Sequence, residues 1–300
     1  MNKRIKIYTR SFDLKLYRYS SELSKALGFP LVRLTDQSAD GYFYTMLKDT
    51  DCDIAINVDE DAFIVDTQAV LDLVDYVVAN GYADAGCPDG GGFCPRRFNP
   101  IVTNPFFNVF NLELIRTKFD IKEIKSFDYT KVKSELVSKF PKERLELSYD
   151  FELFDYEPYC PFFFWLAHNF NILYLPSKKH DDGITTILCD FEGREICMHT
   201  WFARFFTMPS FIVNRIEKGA GMQKSRIEAV INEAYSIRNI DKPTFGITDS
   251  ISFVTNKIVR WMIKVPQRIS RWPYKIKRNI LRKKRHQVVN LGGEYMAHKQ

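Results

Sequence analysis

Three hundred residues, 45% of them hydrophobic, suffice for a full core in one large domain or two modest ones. No apolar run approaches the roughly 18 residues of a spanning helix, and the basic start (Lys3, Arg4, Lys6) lacks the apolar stretch of a secretory signal. The six cysteines form no Cys-x-x-Cys pair, which argues against structural zinc and for reduced core thiols. Aromatics reach 15%, a level that fills a core or stacks on flat ligands and membrane interfaces.

In chain order, Arg4–Tyr8 reads as a short strand. Leu14–Leu27 has helical spacing and stops at Gly28, with Pro30 behind it. Leu31–Leu34 is a second strand and Tyr42–Lys48 a helix. Cys52–Val58 is apolar and β-branched, a buried strand that ends abruptly in charge. Thr67 caps a helix running to Ala79, with Gly81 past its end, and Ala83–Cys87 is a further strand. Residues 88–105, with three consecutive glycines and four prolines, form a flap or a long connection. Phe106–Phe110 resumes as a strand, 116–150 is charged and helical, Pro161–Asn169 is an apolar helix and Ile172–Leu175 a strand. The alternation predicts a mostly parallel α/β sheet, whose ligands bind beyond the carboxyl ends of its strands.

Asp59–Glu60–Asp61 follows the buried strand directly. Alternation turns Asp59 and Asp61 to one side and Glu60 to the other. Two carboxylates on one side suit Mg²⁺ or Mn²⁺ holding phosphate oxygens, and a solvated acidic turn is the alternative. This arrangement resembles the GT-A glycosyltransferases of the family-2-like group, in which an Asp-x-Asp motif closing a central strand holds a divalent cation against a nucleotide-sugar diphosphate. The resemblance implies that Asp61 ligates the metal, with Asp59 nearer the metal or the ribose.

Two further segments carry the resemblance, which covers roughly residues 3–205. In FDYEPYCPFFFWLAHNFNILYLP (154–176), Glu157 stands where that family places its catalytic base, with Asp155 in reserve. An inverting transferase needs such a carboxylate to take the acceptor proton, although one before a helix also gains from the helix dipole alone. The usual acidic pair is here Tyr156–Glu157. In CMHTWFARFF (197–206), His199 is a third metal contact or a buried histidine beside Trp201, and Arg204 pairs with phosphate. The loop after the first strand (Thr9, Arg10, Ser11) meets base and ribose, and Asp36 reads the base edge. His180–Asp181–Asp182–Gly183 touches an acceptor or only turns the chain. Neither a G-x-G-x-x-G nor a Walker sequence is present.

Residues 251–300 hold 13 Lys and Arg against one acid, Glu294, while the preceding part is net acidic. Val254, Ile258, Trp261–Met262, Val265, Ile269, Trp272, Ile276 and Ile280 fall at helical spacing, with Pro266 and Pro273 as kinks. Such a segment lies in a membrane interface; nucleic acid, or packing on the chain's own core, are the competing readings.

The expectation is therefore a GT-A-like domain over 1–215, a helical extension over 216–250 and a basic amphipathic tail over 251–300. The function expected is metal-dependent (Mn²⁺ or Mg²⁺) transfer of a sugar from a UDP- or GDP-type donor to a glycan or lipid-linked acceptor, with inversion. Residues 254–285 would hold the chain at the cytoplasmic face of an anionic membrane. A nucleotidyltransferase with a similar acidic site, and an inactive membrane adaptor, are the alternatives.

Overall fold

The computed structural model describes residues 3–206 and 220–262 apart from Asp36, 92–97, 145–148, 257, 260 and 261. The chain divides into two compact units, Met1–Thr244 and Phe245–Gln300.

The first unit is built on a six-stranded sheet in the order β2-β1-β3-β6-β5-β7. Its strands are β1 (Ile5–Arg10), β2 (Leu31–Leu34), β3 (Ile54–Val58), β5 (Asp84–Gly86), β6 (Phe107–Asn111) and β7 (Ile172–Tyr174). β6 runs antiparallel to both its neighbours and the other pairings are parallel. The predicted mixed, mostly parallel sheet flanked by helices is therefore observed.

Helix α1 (Leu14–Lys25) starts where the Asp13 carboxylate accepts from the backbone N–H groups of Lys15 and Leu16. Helix α2 spans Gly41–Lys48. Helix α3 (Thr67–Ala79) is capped by Asp66, whose side chain accepts from Ala69 N, not by Thr67 as the sequence suggested. Both residue types cap well, and the chain uses the one whose backbone is still extended. The charged stretch after β6 forms α4 (Leu112–Arg116), α5 (Ile121–Ser126) and α6 (Tyr129–Lys139), and α7 spans Cys160–Asn169.

β3 is buried on both faces, as its unbroken apolar run requires. Ile54, Ile56 and Val58 pack into an aliphatic cluster with Ile7, Val70 and Leu73. Ala55 faces the opposite cluster, where the aromatic excess collects: Phe43 stacks on Phe162 at 4.9 Å and meets Phe110 and Phe163 edge-on. Much of the aromatic content thus fills the core.

A second, fully antiparallel sheet was not anticipated. It runs β4-β10-β9-β8, from β4 (Ala62–Ile64), β8 (Ser177–Lys179), β9 (Thr186–Cys189) and β10 (Glu195–His199). Strands of three to five residues carry too little periodicity to stand out, and β4 is a strand only through its long-range pairing with β10. The pairing of β4 with β10 sets His199 opposite Ala62, beside the acidic turn, although 137 residues separate them.

Helix α8 (Ala220–Ile237) belongs to the first unit, burying Ile227, Val230, Ile231, Ala234 and Tyr235. Tyr235 donates its phenol proton to the carbonyl of Tyr19 on α1 (2.8 Å).

One buried acid lies in the sheet itself. Asp84 on β5 is fully enclosed, and accepts from the Thr103 hydroxyl (2.5 Å) and Asn108 Nδ2 (3.2 Å). Burial pushes its carboxyl up to about 7, against those two hydrogen bonds. The native state therefore holds this proton more tightly than the unfolded chain. The stabilising contribution is full below pH about 4 and is lost as pH rises through about 7, worth up to about 4 kcal/mol. Asp84→Asn, which mimics the neutral acid, is expected to be about as stable as wild type near pH 4 and more stable above pH 7. Urea denaturation of both chains across that window checks the difference; parallel curves would contradict it.

Candidate active site

A cavity of about 300 Å³ opens at the carboxyl end of β3, where an α/β sheet of this kind presents its ligand site. Asp59, Glu60 and Asp61 form the turn from β3 into β4 at its wall. Arg10 enters from the end of β1, His199 from the end of β10 and Glu157 from the segment before α7.

Five of the residues singled out in the sequence thus meet here: Arg10, Asp59, Asp61, Glu157 and His199. Thr9 is buried on β1 and does not line the cavity; alternation along the strand sends it to the face opposite Arg10. Asp155 and Arg204 are exposed and also lie off the lining. Asp36 falls outside the described residues. The His180–Gly183 turn lies off the lining too. Asp182 there accepts from the backbone of Ile184 and Thr185, the Thr185 hydroxyl and Arg226 of α8, while His180 faces Glu233 at 3.0 Å.

The electrostatics of the acidic turn are those of crowded charge. Arg10 Nε stands 4.0 Å from Asp59 Oδ1, and neither atom has a hydrogen-bond partner among the described residues. Burial pushes the Asp59 carboxyl up to about 6; Arg10 offsets part of that and Asp61 adds to it. Burial also opposes ionisation of Asp61, but His199, its Nε2 at 3.5 Å, holds that carboxyl below its usual range. The His199 ring lies flat on Phe106 (4.3 Å between centroids), and its Nδ1 is buried with no hydrogen-bond partner among the described residues.

Two carboxylates, one with an orphaned buried oxygen, and an imidazole with an orphaned nitrogen fit a divalent cation. Among the described residues no group of three or more His, Cys, Asp and Glu already stands in metal-holding geometry. Asp59, Asp61 and His199 are the side chains at this wall that could contribute to holding such a cation.

Three features went unread in the sequence. The destination of Glu60 is the first: from the turn its carboxylate reaches into the β1–α1 loop rather than to solvent. Its Oε2 accepts from the Ser11 hydroxyl (2.9 Å) and from the backbone N–H of Phe12 and Asp13 (both 2.6 Å). Burial nevertheless pushes its carboxyl up to about 8. Glu60→Ala would leave these three donors without their acceptor, and is expected to cost about 2–4 kcal/mol in chemical denaturation, with Glu60→Gln closer to wild type. Equal stability of Glu60→Ala and wild type would overturn this role.

Asp89 is the second. Its Oδ1 accepts from Gly90 N (2.9 Å) and Asn104 Nδ2 (2.6 Å), and its Oδ2 from the hydroxyls of Tyr156 (2.9 Å) and Tyr159 (3.3 Å). Burial pushes Asp89 up to about 6. It ties both tyrosines flanking Glu157 to the cavity wall. The described ends of the glycine- and proline-rich stretch, 88–91 and 98–104, are accordingly buried and anchored by Asp89 N to Val102 O and Asn104 N to Cys87 O. Residues 92–97, the remainder of the expected flap, lie outside the described residues. Gly90 takes φ +98°, and a Cβ there would meet the Phe98 ring at 2.6 Å.

The third is the rim after His199. Trp201 and Phe202 both adopt φ +57°, a left-handed conformation that bulky residues rarely enter. Arg226 Nη2 donates to Thr200 O (2.5 Å), and Trp201 Nε1 donates to Thr186 Oγ1 (2.9 Å). Backbone strain of this kind clusters at active sites and ligand clamps. Position alone, just after a candidate ligand, was the sequence signal; the strain and its tether arise from long-range contacts.

No protein-family model matches this sequence, and no curated protein matches it.

Proposed function

We propose that this chain is a metal-dependent glycosyltransferase with a GT-A-like domain, moving a sugar from a nucleoside diphosphate sugar of UDP or GDP type to a hydroxyl of a glycan or lipid-linked polysaccharide precursor. The observation that carries the reading is the convergence of Asp59, Asp61, His199 and Glu157 on one cavity at the carboxyl end of β3. The six-stranded order with one reversed strand beside β3 is compatible with that fold.

Asp59 and Asp61, with His199 beside them, would hold Mn²⁺ or Mg²⁺. A cation bound there supplies positive charge against the leaving diphosphate. Arg10, close to Asp59 and stacked over Phe12 and Tyr42 at 5.1 Å, adds a fixed cation at the same wall. Glu157 accepts the proton of the acceptor hydroxyl as its oxygen attacks the anomeric carbon. The bond from that carbon to the diphosphate breaks on the opposite side, which gives inversion. The Asp89–Tyr156–Tyr159 tie fixes the backbone around Glu157, so that the carboxylate is placed before the substrate arrives.

The nucleotidyltransferase alternative is weakened by the loop after β1. Its Phe12 and Asp13 amides, which such an enzyme would turn to phosphate, are spent on Glu60. Incubation with a panel of nucleoside diphosphate sugars and Mn²⁺, read as nucleoside diphosphate release, tests the proposal. Release from one donor class supports it; no release from any donor, with or without acceptor glycans, contradicts it.

A further inference from the structure

We propose that the second unit docks on a lipid bilayer carrying anionic headgroups, and that its contact face begins upstream of the basic tail, on the helix over 247–256. Ile247 is 82% exposed, Ile251 60%, Val254 56%, Ile258 53% and Met262 54%. Steps of four, three, four and four residues place these side chains on one helical face. A shallow groove lined by Phe245, Ile247, Ile251 and Val254 adjoins it. A continuous bare aliphatic stripe on a folded surface marks an interaction site.

Charge names the partner. Residues 251–300 carry 13 Lys and Arg and a single acid, and in the sequence apolar residues recur at the same spacing at Val265, Ile269, Trp272, Ile276 and Ile280. Lysine and arginine attract any polyanion, but a nucleic-acid backbone gives Ile and Val nothing apolar to enter, whereas the headgroup–acyl boundary accepts both. No described helix is long and apolar enough to cross a membrane, and an apolar stripe beside basic residues suits an element lying in the interface plane. The inference is independent of the proposed transfer reaction.

Co-sedimentation of the full chain with vesicles tests it. Vesicles of phosphatidylcholine mixed with phosphatidylglycerol are expected to bind the chain, and vesicles of phosphatidylcholine alone to bind it far more weakly. Salt is expected to loosen the complex. A chain carrying Ile251→Ser, Val254→Ser and Ile258→Ser, all at exposed positions, is expected to keep its circular dichroism and lose affinity about a hundredfold. Equal binding to both vesicle types, or a triple variant that binds like wild type, would overturn the proposal. So would absence of vesicle binding together with a dimer abolished by the triple change, which assigns the face to a second copy. Binding to single-stranded RNA that the triple change leaves untouched, again without vesicle binding, would assign the charge to nucleic acid and overturn it too.

Discussion

Glu157→Gln is expected to bind nucleotide and metal as the wild type does while its transfer rate falls by about 10²–10⁴-fold, the usual contribution of a general base. The expectation rests on placement. Glu157 is half-buried at the cavity and stands between two tyrosines whose hydroxyls are fixed on Asp89. The amide keeps the shape of the side chain and removes only its ability to take a proton. Asp155, exposed and off the lining, provides the contrast, and Asp155→Asn is expected to turn over at a rate close to wild type. Single-turnover kinetics on both variants separates chemistry from binding. If Glu157→Gln keeps wild-type turnover while Asp155→Asn loses it, the two roles are exchanged.

If the proposed cation binds at the acidic turn, Asp61→Asn is expected to reduce metal-dependent nucleotide affinity by at least about a hundredfold, because it would remove one of the two carboxylate charges holding it. His199 would then face a neutral amide in place of its charged partner at 3.5 Å. Asp59 would lose a like-charged neighbour but keep Arg10 at 4.0 Å. The fold should survive, since Asp61 ties the segment just after β10 through its backbone carbonyl, which accepts from Thr200 N (3.0 Å). A variant that lost its secondary structure would instead assign Asp61 a structural role.

How much of this could be read in advance depends on how local each determinant is. β3 declared itself because a strand buried on both faces must be apolar throughout, and α1 and α3 because a glycine closes an apolar period, although the cap of α3 was read one residue late and that of α1 was not read. The acids of the motif were visible for the same reason: charge directly after a buried strand has few structural explanations. The companion sheet was not visible. Ala62–Ile64 has no period to show, and β10 becomes a strand by pairing with it across the chain. Glu60 and Asp89 look like ordinary loop acids in sequence, since what gives them roles is enclosure by segments 47–49 and 67–70 residues away. The glycines of the stretch 88–105 left a flap and a long connection equally open, whereas at Gly90 a Cβ would collide with the Phe98 ring.

The most direct test of the central claim is calorimetry of UDP, GDP, CMP and dTDP binding to the full chain, with and without Mn²⁺, repeated on Asp61→Asn. One nucleoside diphosphate is expected to bind only when metal is present, and the variant to lose this binding. Binding of no nucleotide under any metal condition, or metal-dependent binding that Asp61→Asn leaves intact, would contradict it.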